Sequence, residues 1–140
     1  MSIVALILAA GQGTRLKSKL PKVLHRLAGR PLVLHALDAA AAVTGGRPVL
    51  VVGHGAEAVR AAVGERASYV VQAEQLGTGH AVLQGRAALV GQADEVLVTY
   101  GDMPLLRPET LQALIERRRE AGAAVALLTI DAPELVDFGR

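Results

Sequence analysis

Apolar residues fall along this chain in short unbroken runs, separated by longer stretches of mixed polarity. Ile3–Leu8, Val49–Val52 and Val96–Tyr100 are continuous, contain β-branched residues and are soon closed by glycine. That is the pattern of strands buried on both faces. Tyr69–Gln72 and Ala124–Ile130 supply two further runs. Between the runs lie helical patterns. Pro31–Val43 has proline at its start and Gly45-Gly46 at its end, Ala56–Val63 stops near Gly64, and Gly79–Leu89 follows the third run. Pro108–Ala121 carries Glu109 in its first turn and arginines near its end, which suits the helix dipole. The alternation predicts an α/β domain, with a Rossmann-like, mostly parallel sheet and helices on both faces. Ligands of such sheets bind beyond the carboxyl ends of the strands, here the loops after the first, third and fourth runs. Asp131–Arg140 is polar and irregular, so the sheet is expected to be incomplete at its C-terminal end.

Composition narrows this picture modestly. The 140 residues are 51% hydrophobic and 20% charged, a globular balance for one domain. Aromatics make up only 2%, so the core is aliphatic. The net charge of +2 gives no case for nucleic-acid binding, and the basic run Arg117-Arg118-Arg119 reads as a solvated helix face. Cysteine is absent, which fits a reducing cytoplasm. Ile3–Ala10 resembles a signal-peptide core but lacks a basic leader and continues into patterned structure. No apolar stretch approaches the roughly 20 residues of a membrane span.

Three loops carry candidate chemistry. After the first run come Leu8-Ala9-Ala10-Gly11-Gln12-Gly13-Thr14-Arg15 and then Pro21-Lys22. Glycines let backbone N–H groups approach phosphates closely, and Arg15 and Lys22 add the cationic charge a triphosphate needs. A plain surface turn explains the same residues about as well. The loop lacks the third glycine of a dinucleotide fingerprint, and no acidic residue closes the second run. It also lacks the Gly-Lys-Ser/Thr of a Walker A loop. The second loop is Gln72-Ala73-Glu74-Gln75-Leu76-Gly77-Thr78-Gly79-His80. Gln72 offers a donor and an acceptor for a base edge, and Gly77 lets backbone lie against a flat base. The plain alternative is that Thr78 or Gly79 merely starts a helix. The third loop, Tyr100-Gly101-Asp102-Met103-Pro104, puts a carboxylate at a strand end, suited to Mg2+ or to an ordinary turn. The four histidines, His25, His35, His54 and His80, show no metal-ligand spacing and read as structural or surface residues.

Together, Leu8–Arg15, Pro21–Leu24, Gln72–His80 and Tyr100–Leu105 resemble the sugar-phosphate nucleotidylyltransferases. Within them, the chain resembles the uridylyltransferase domain of the bacterial bifunctional N-acetylglucosamine-1-phosphate uridylyltransferase / glucosamine-1-phosphate acetyltransferases. Gln75–Ala81 and Tyr100–Leu105 carry most of that specificity, and Asp137–Arg140 looks like a Tyr-Gly-Arg segment with Phe138 for tyrosine. The resemblance implies the nucleotide-diphospho-sugar transferase fold, with residues 1–140 as its nucleotide-binding part. It implies that UTP and N-acetylglucosamine 1-phosphate give UDP-N-acetylglucosamine and pyrophosphate, with Mg2+, in cytoplasmic cell-wall precursor synthesis. Leu8, Ala9, Ala10 and Gly11 would then line the nucleotide, and Arg15 and Lys22 would contact phosphates. Gln72 and Gly77 would read uracil, Thr78, Tyr100 and Gly101 would line the nucleotide-sugar site, Asp102 would bind Mg2+, and Gly139 would approach the sugar. In that family later residues supply further sugar contacts and a second metal ligand, and a left-handed β-helix acetylates the sugar and trimerises the enzyme. None of these lies within the 140 residues, so acetyltransferase activity is not expected of this chain. Another nucleotide with another sugar or alcohol phosphate, or UTP binding without turnover, are the alternatives.

Overall fold

The computed structural model describes residues 1–132. Four strands form one parallel sheet in the order β5-β4-β1-β6. They are β1 (Ile3–Ala9), β4 (Val49–Val52), β5 (Ser68–Val71) and β6 (Glu95–Tyr100). A two-residue turn at Ala28-Gly29 joins the short antiparallel pair β2 (Arg26–Leu27) and β3 (Arg30–Pro31). The helices are α1 (Leu32–Thr44), α2 (Ala56–Val63), α3 (Thr78–Gln84), α4 (Arg86–Leu89) and α5 (Pro108–Glu120). None is long and apolar enough to cross a membrane.

The alternation of side chains along β1 divides the core. Ala5, Ile7 and Ala9 pack with Val33 and Leu37 of α1 and Val59 and Val63 of α2. Leu6, Leu8 and Ala10 face the other way, onto Ala81 of α3 and Leu89 of α4. Each face of β1 is therefore covered by helices, which is why its sequence shows no polar alternation. α5 joins the α1 side through Leu111 and Ile115, which meet Leu97 of β6 and Ala39 of α1.

The expected helix Gly79–Leu89 is interrupted at Gly85, where a Cβ would press within 2.8 Å of Leu6 Cδ1. Close packing onto β1 thus explains the glycine, whose backbone itself stays in the right-handed helical region. The expected fifth strand, Ala124–Ile130, does not form. Residue Gly122 turns the chain at φ 58°, Arg118 donates to the Ala123 carbonyl at 2.7 Å, and Val125, Leu127, Leu128 and Ile130 stay exposed. The segment runs beside β6 without a hydrogen-bonded ladder. A strand needs its backbone groups paired as well as an apolar composition. On the face it shares with Leu6 and Leu8, β6 is left uncovered by the helices, with Val96, Val98 and Tyr100 exposed by 44%, 41% and 43%.

The basic run on α5 is not a simple solvated face. Arg118 and Arg119 both clasp Glu95, whose side chain is buried at the start of β6, and Arg119 Nε donates to its Oε2 at 2.9 Å. Bonding to Arg119 and Arg118 holds the Glu95 carboxyl down at about 2, against 4.5 ordinarily. Arg117 alone projects into solvent, 3.7 Å from Glu120. A second carboxylate, Asp38 of α1, receives Arg30 at 2.8 Å and Arg66, tying the hairpin and the α2–β5 connection to α1. Burial works to raise the Asp38 carboxyl, but the two guanidiniums prevail and hold it below its usual range.

Candidate functional site

The parallel registry sets Leu8 opposite Tyr100, Ala9 opposite Val52 and Val52 opposite Val71, so all four strands end at one edge. The chain leaves central β1 with β4 on one side and β6 on the other. A crevice opens at such a switch of direction, beyond the carboxyl ends. A cleft of about 570 Å3 lies there, within the roughly 300–1,000 Å3 typical of ligand sites. Leu8, Ala9, Ala10 and Gly11 form its floor, Arg15 and Lys22 one wall, Gln72, Gly77 and Thr78 another, and Tyr100 and Asp102 the third.

The cationic wall is built by close backbone approach. Gly13 adopts φ 63°, and a Cβ there would lie 2.7 Å from Lys22 Cβ. Glycine alone allows both the left-handed turn and the packing of the Pro21-Lys22 segment against it. A single 3-10 turn, Thr14–Leu16, follows and carries Arg15. A Cβ on Gly55 would collide with the Pro21 ring, so the loop after β4 supports the same segment from below. The Lys22 ammonium reaches across the cleft to Asp102 Oδ2 at 2.7 Å, with 44% and 29% of the two side chains exposed.

Asp102 extends the carboxyl end of β6. Gly101 before it is buried: its N–H donates to Leu8 O at 2.9 Å, and a Cβ would stand 3.2 Å from both Ala9 Cβ and Val23 Cγ1. Gly101 thus lies behind the cleft wall rather than in it, and its smallness lets β6 close against β1. Gly139 falls outside the described residues.

The opposite wall holds a buried polar cluster. Gln72 is only 3% exposed; its Nε2 donates to Gly77 O at 3.2 Å and lies 3.0 Å from His80 Nδ1. Gly77 has φ 100°, where a side chain would be strained, and caps α3. The helix therefore begins at Thr78, as the plainer sequence reading also had it. At Gly53, which follows β4, a Cβ would meet Gln75 Nε2 at 2.8 Å, Gln72 O at 3.0 Å and Ala10 Cβ at 3.1 Å. The loops after β1, β4 and β5 converge on that glycine. Gln75 and His80 had no separate role in the sequence, where His80 reads as a structural or surface residue; here Gln75 lines the cleft and His80 bonds the Gln72 amide. The signal available was their place inside the same short Gln72–His80 stretch.

No cluster of three carboxylate or histidine groups occurs among the described residues. Asp102 by itself fits a magnesium ion that arrives on phosphates, since Mg2+ commonly takes one or two carboxylates plus phosphate oxygens and water. It does not fit an ion held by protein alone.

Comparison with known proteins agrees with the geometry. Residues 5–135 match the MobA-like NTP transferase domain. The chain is 52% identical over 141 aligned positions to the Bifunctional protein GlmU of Alcanivorax borkumensis, covering 100% of this chain and 30% of that protein. It thus spans about a third of the length of the curated relatives it matches. A nucleotidyl transferase from Methanothermobacter superposes with a TM-score of 0.74 at 26% identity, over 82% of this chain and 57% of that one. A Mycobacterium tuberculosis protein, Rv0371c, solved with manganese, superposes at 0.64 and 28% identity, over 83% and 59%. With a glycine-lined cleft at the switch point of a parallel sheet, and a match over almost its whole length, the chain belongs to the MobA-like NTP transferase domain family.

Proposed function

We propose that this chain is the nucleotide-binding part of a uridylyltransferase that joins UTP to N-acetylglucosamine 1-phosphate, giving UDP-N-acetylglucosamine and pyrophosphate. The observation that carries the reading is the 2.7 Å Lys22–Asp102 pair, set in one cleft with Arg15 and Gln72. A cation, a metal-suited carboxylate, a phosphate-facing glycine loop and a base-reading amide are what transfer of a nucleotidyl group requires. The sequence motifs Gln75–Ala81 and Tyr100–Leu105 support the uracil and N-acetylglucosamine assignments, as does the 52% identity to a GlmU protein.

The chemistry is an in-line displacement. A sugar-phosphate oxygen forms a bond to the α-phosphorus of UTP, the α–β bridging bond breaks, and pyrophosphate leaves with that electron pair. No protein nucleophile is needed, so positioning and charge neutralisation dominate. Lys22 would bring the two anionic substrates together, and Arg15 would offset charge growing on the leaving pyrophosphate. Backbone N–H groups of the Gly11–Gly13 loop would orient the phosphates, and Gln72 would fix the base. Asp102 would hold Mg2+, which when bound supplies charge neutralisation at the transferred phosphate. Thr78 and Tyr100 would border the nucleotide sugar, while Gly101, behind the wall, would hold β6 close to β1 there.

Pyrophosphate release from UTP, N-acetylglucosamine 1-phosphate and Mg2+ tests the reading, with Asp102→Ala as control. Equal rates in the two proteins would remove Asp102 from the metal role. CTP and dTTP in the same assay separate uridylyl transfer from transfer of another nucleotide. Calorimetry showing UTP binding without turnover would reduce the chain to a binding fragment. A folded chain with no UTP binding at millimolar concentration would defeat the proposal.

A further inference from the structure

His80 lies just behind the base-reading glutamine and makes no direct use of the cleft. We infer that His80 is a positioning residue, which sets the direction of the Gln72 amide and thereby the pyrimidine that the site accepts. This rests on the uridylyltransferase reading above and deepens it.

Donors and acceptors around Gln72 fix the direction of its amide. Gln72 is almost fully buried, and its amide nitrogen sits 3.2 Å from Gly77 O and 3.0 Å from His80 Nδ1. Gly77 O is a backbone carbonyl and only accepts, so the group facing it must be the NH2. The two hydrogens of that NH2 serve Gly77 O and the imidazole nitrogen together, provided Nδ1 is bare. Neutral His80 then carries its proton on Nε2, 3.1 Å from the terminal amide of Gln84. The same Gln84 amide nitrogen lies 3.2 Å from His80 O, a contact that a half-turn gives up to present an oxygen to that proton. Gln84 is half-exposed, so water can serve the freed groups, whereas the buried Gln72 amide has no such relief. The opposite tautomer would force the Gln72 oxygen against Gly77 O inside the protein, where no water relieves the clash.

The consequence lies on the cleft side. With its NH2 committed, Gln72 leaves Oε1 without a protein partner among the described residues, on a side chain that lines the cleft. Gln72 therefore offers the base a fixed acceptor and no donor. Uracil presents N3–H to such an acceptor. Cytosine has a bare N3 in the same place, and two acceptors would face each other. Without His80 the amide has one anchor fewer, turns more freely, and serves both bases.

Two measurements test this. Long-range 1H–15N correlation on the wild-type chain at alkaline pH should show His80 protonated at Nε2 and bare at Nδ1; a proton on Nδ1 would overturn the inference without any variant. Calorimetry would then compare UTP and CTP, with Mg2+, for wild type, His80→Leu and His80→Asn. His80→Leu should shrink the UTP preference by about tenfold, the scale of one misdirected buried hydrogen bond. His80→Asn, whose Oδ1 can accept in place of Nδ1, should keep most of it. Equal ratios in all three, or equal loses in both variants with wild-type melting, would refute the role of His80. Gln72→Ala is the separate arm: if it leaves the binding of both nucleotides unchanged, Gln72 does not read the base, and that failure belongs to the functional reading rather than to His80.

Discussion

Asp102→Asn is the substitution that best separates a structural from a functional carboxylate. Among the described residues Asp102 pairs with Lys22, at 2.7 Å, with 29% and 44% of the two side chains exposed. A pair so placed is worth about 0–1 kcal/mol, so the variant should melt within a few degrees of wild type. Its effect on a divalent ion is larger. Two unit charges 4 Å apart interact by about 1 kcal/mol in water and about 4 kcal/mol at an effective dielectric of 20, and a divalent ion doubles both. Exposure places Asp102 near the lower end, and freeing it from Lys22 removes up to about 1 kcal/mol. A net loss of about 1–2 kcal/mol remains, or roughly five- to thirtyfold weaker binding. Manganese titration followed by electron paramagnetic resonance reads this directly, with UTP present and at matched total metal, beside a melting curve of each protein. Unchanged manganese affinity in a folded Asp102→Asn protein would refute the assignment. A fall of many degrees in melting temperature would instead make Asp102 structural.

Three further outcomes follow from the same geometry. Lys22→Met frees Asp102, so the chain should bind manganese alone severalfold more tightly while binding UTP about tenfold more weakly; calorimetry with and without nucleotide shows whether the two move in opposite directions. At Gly11 a Cβ would meet nothing within 4 Å, and no positive φ is required there. Gly11→Ala should therefore stabilise the fold by about 0.4–1 kcal/mol in urea titration, and yet weaken UTP binding if the loop lies against phosphates. Glu95 has a carboxyl held at about 2 in the folded chain against 4.5 ordinarily, a lowered value. Its contribution is thus present above about pH 4.5 and lost as pH falls towards 2, so acid unfolding should shift to higher pH in Glu95→Gln, followed by circular dichroism.

What the amino-acid pattern could and could not convey divides along physical lines. Continuous apolar runs located β1, β4, β5 and β6 to within a residue or two. Burial on both faces explains the runs of β1 and β4, whereas β5 and β6 keep apolar residues on positions that stay partly exposed, contrary to the expectation for Val96–Tyr100. The β2–β3 hairpin left none. Its turn needs positive φ at both central residues, and here Ala28 takes φ 51° beside Gly29, where Asn-Gly would have advertised the turn. Ala124–Ile130 failed in the reverse sense: its composition suits a strand, but pairing is decided by a neighbour elsewhere in the fold. Arg118, Arg119 and His80 are the same kind of miss. Each looks polar and dispensable in sequence, and its meaning comes from Glu95 or Gln72, residues that only the fold brings near.

The loops were legible for a different reason, and the glycines show it. Gly13 is required by the protein itself, since Lys22 packs where its side chain would be, and Gly101 is required by Ala9 and Val23. Gly77 is required by its φ of 100°. These three would be glycine whether or not anything bound. Gly11 answers to neither need, and it lines the cleft floor between Ala10 and the cationic wall. A glycine that the fold does not require costs conformational entropy on folding without any internal return. On the floor of a cleft, such a glycine leaves room for something that lies closer to the backbone than a methyl group permits. A phosphate held by N–H groups is such a thing, and it ties the least constrained residue of the loop to the nucleotide reading more firmly than the conspicuous Arg15 and Lys22 beside it.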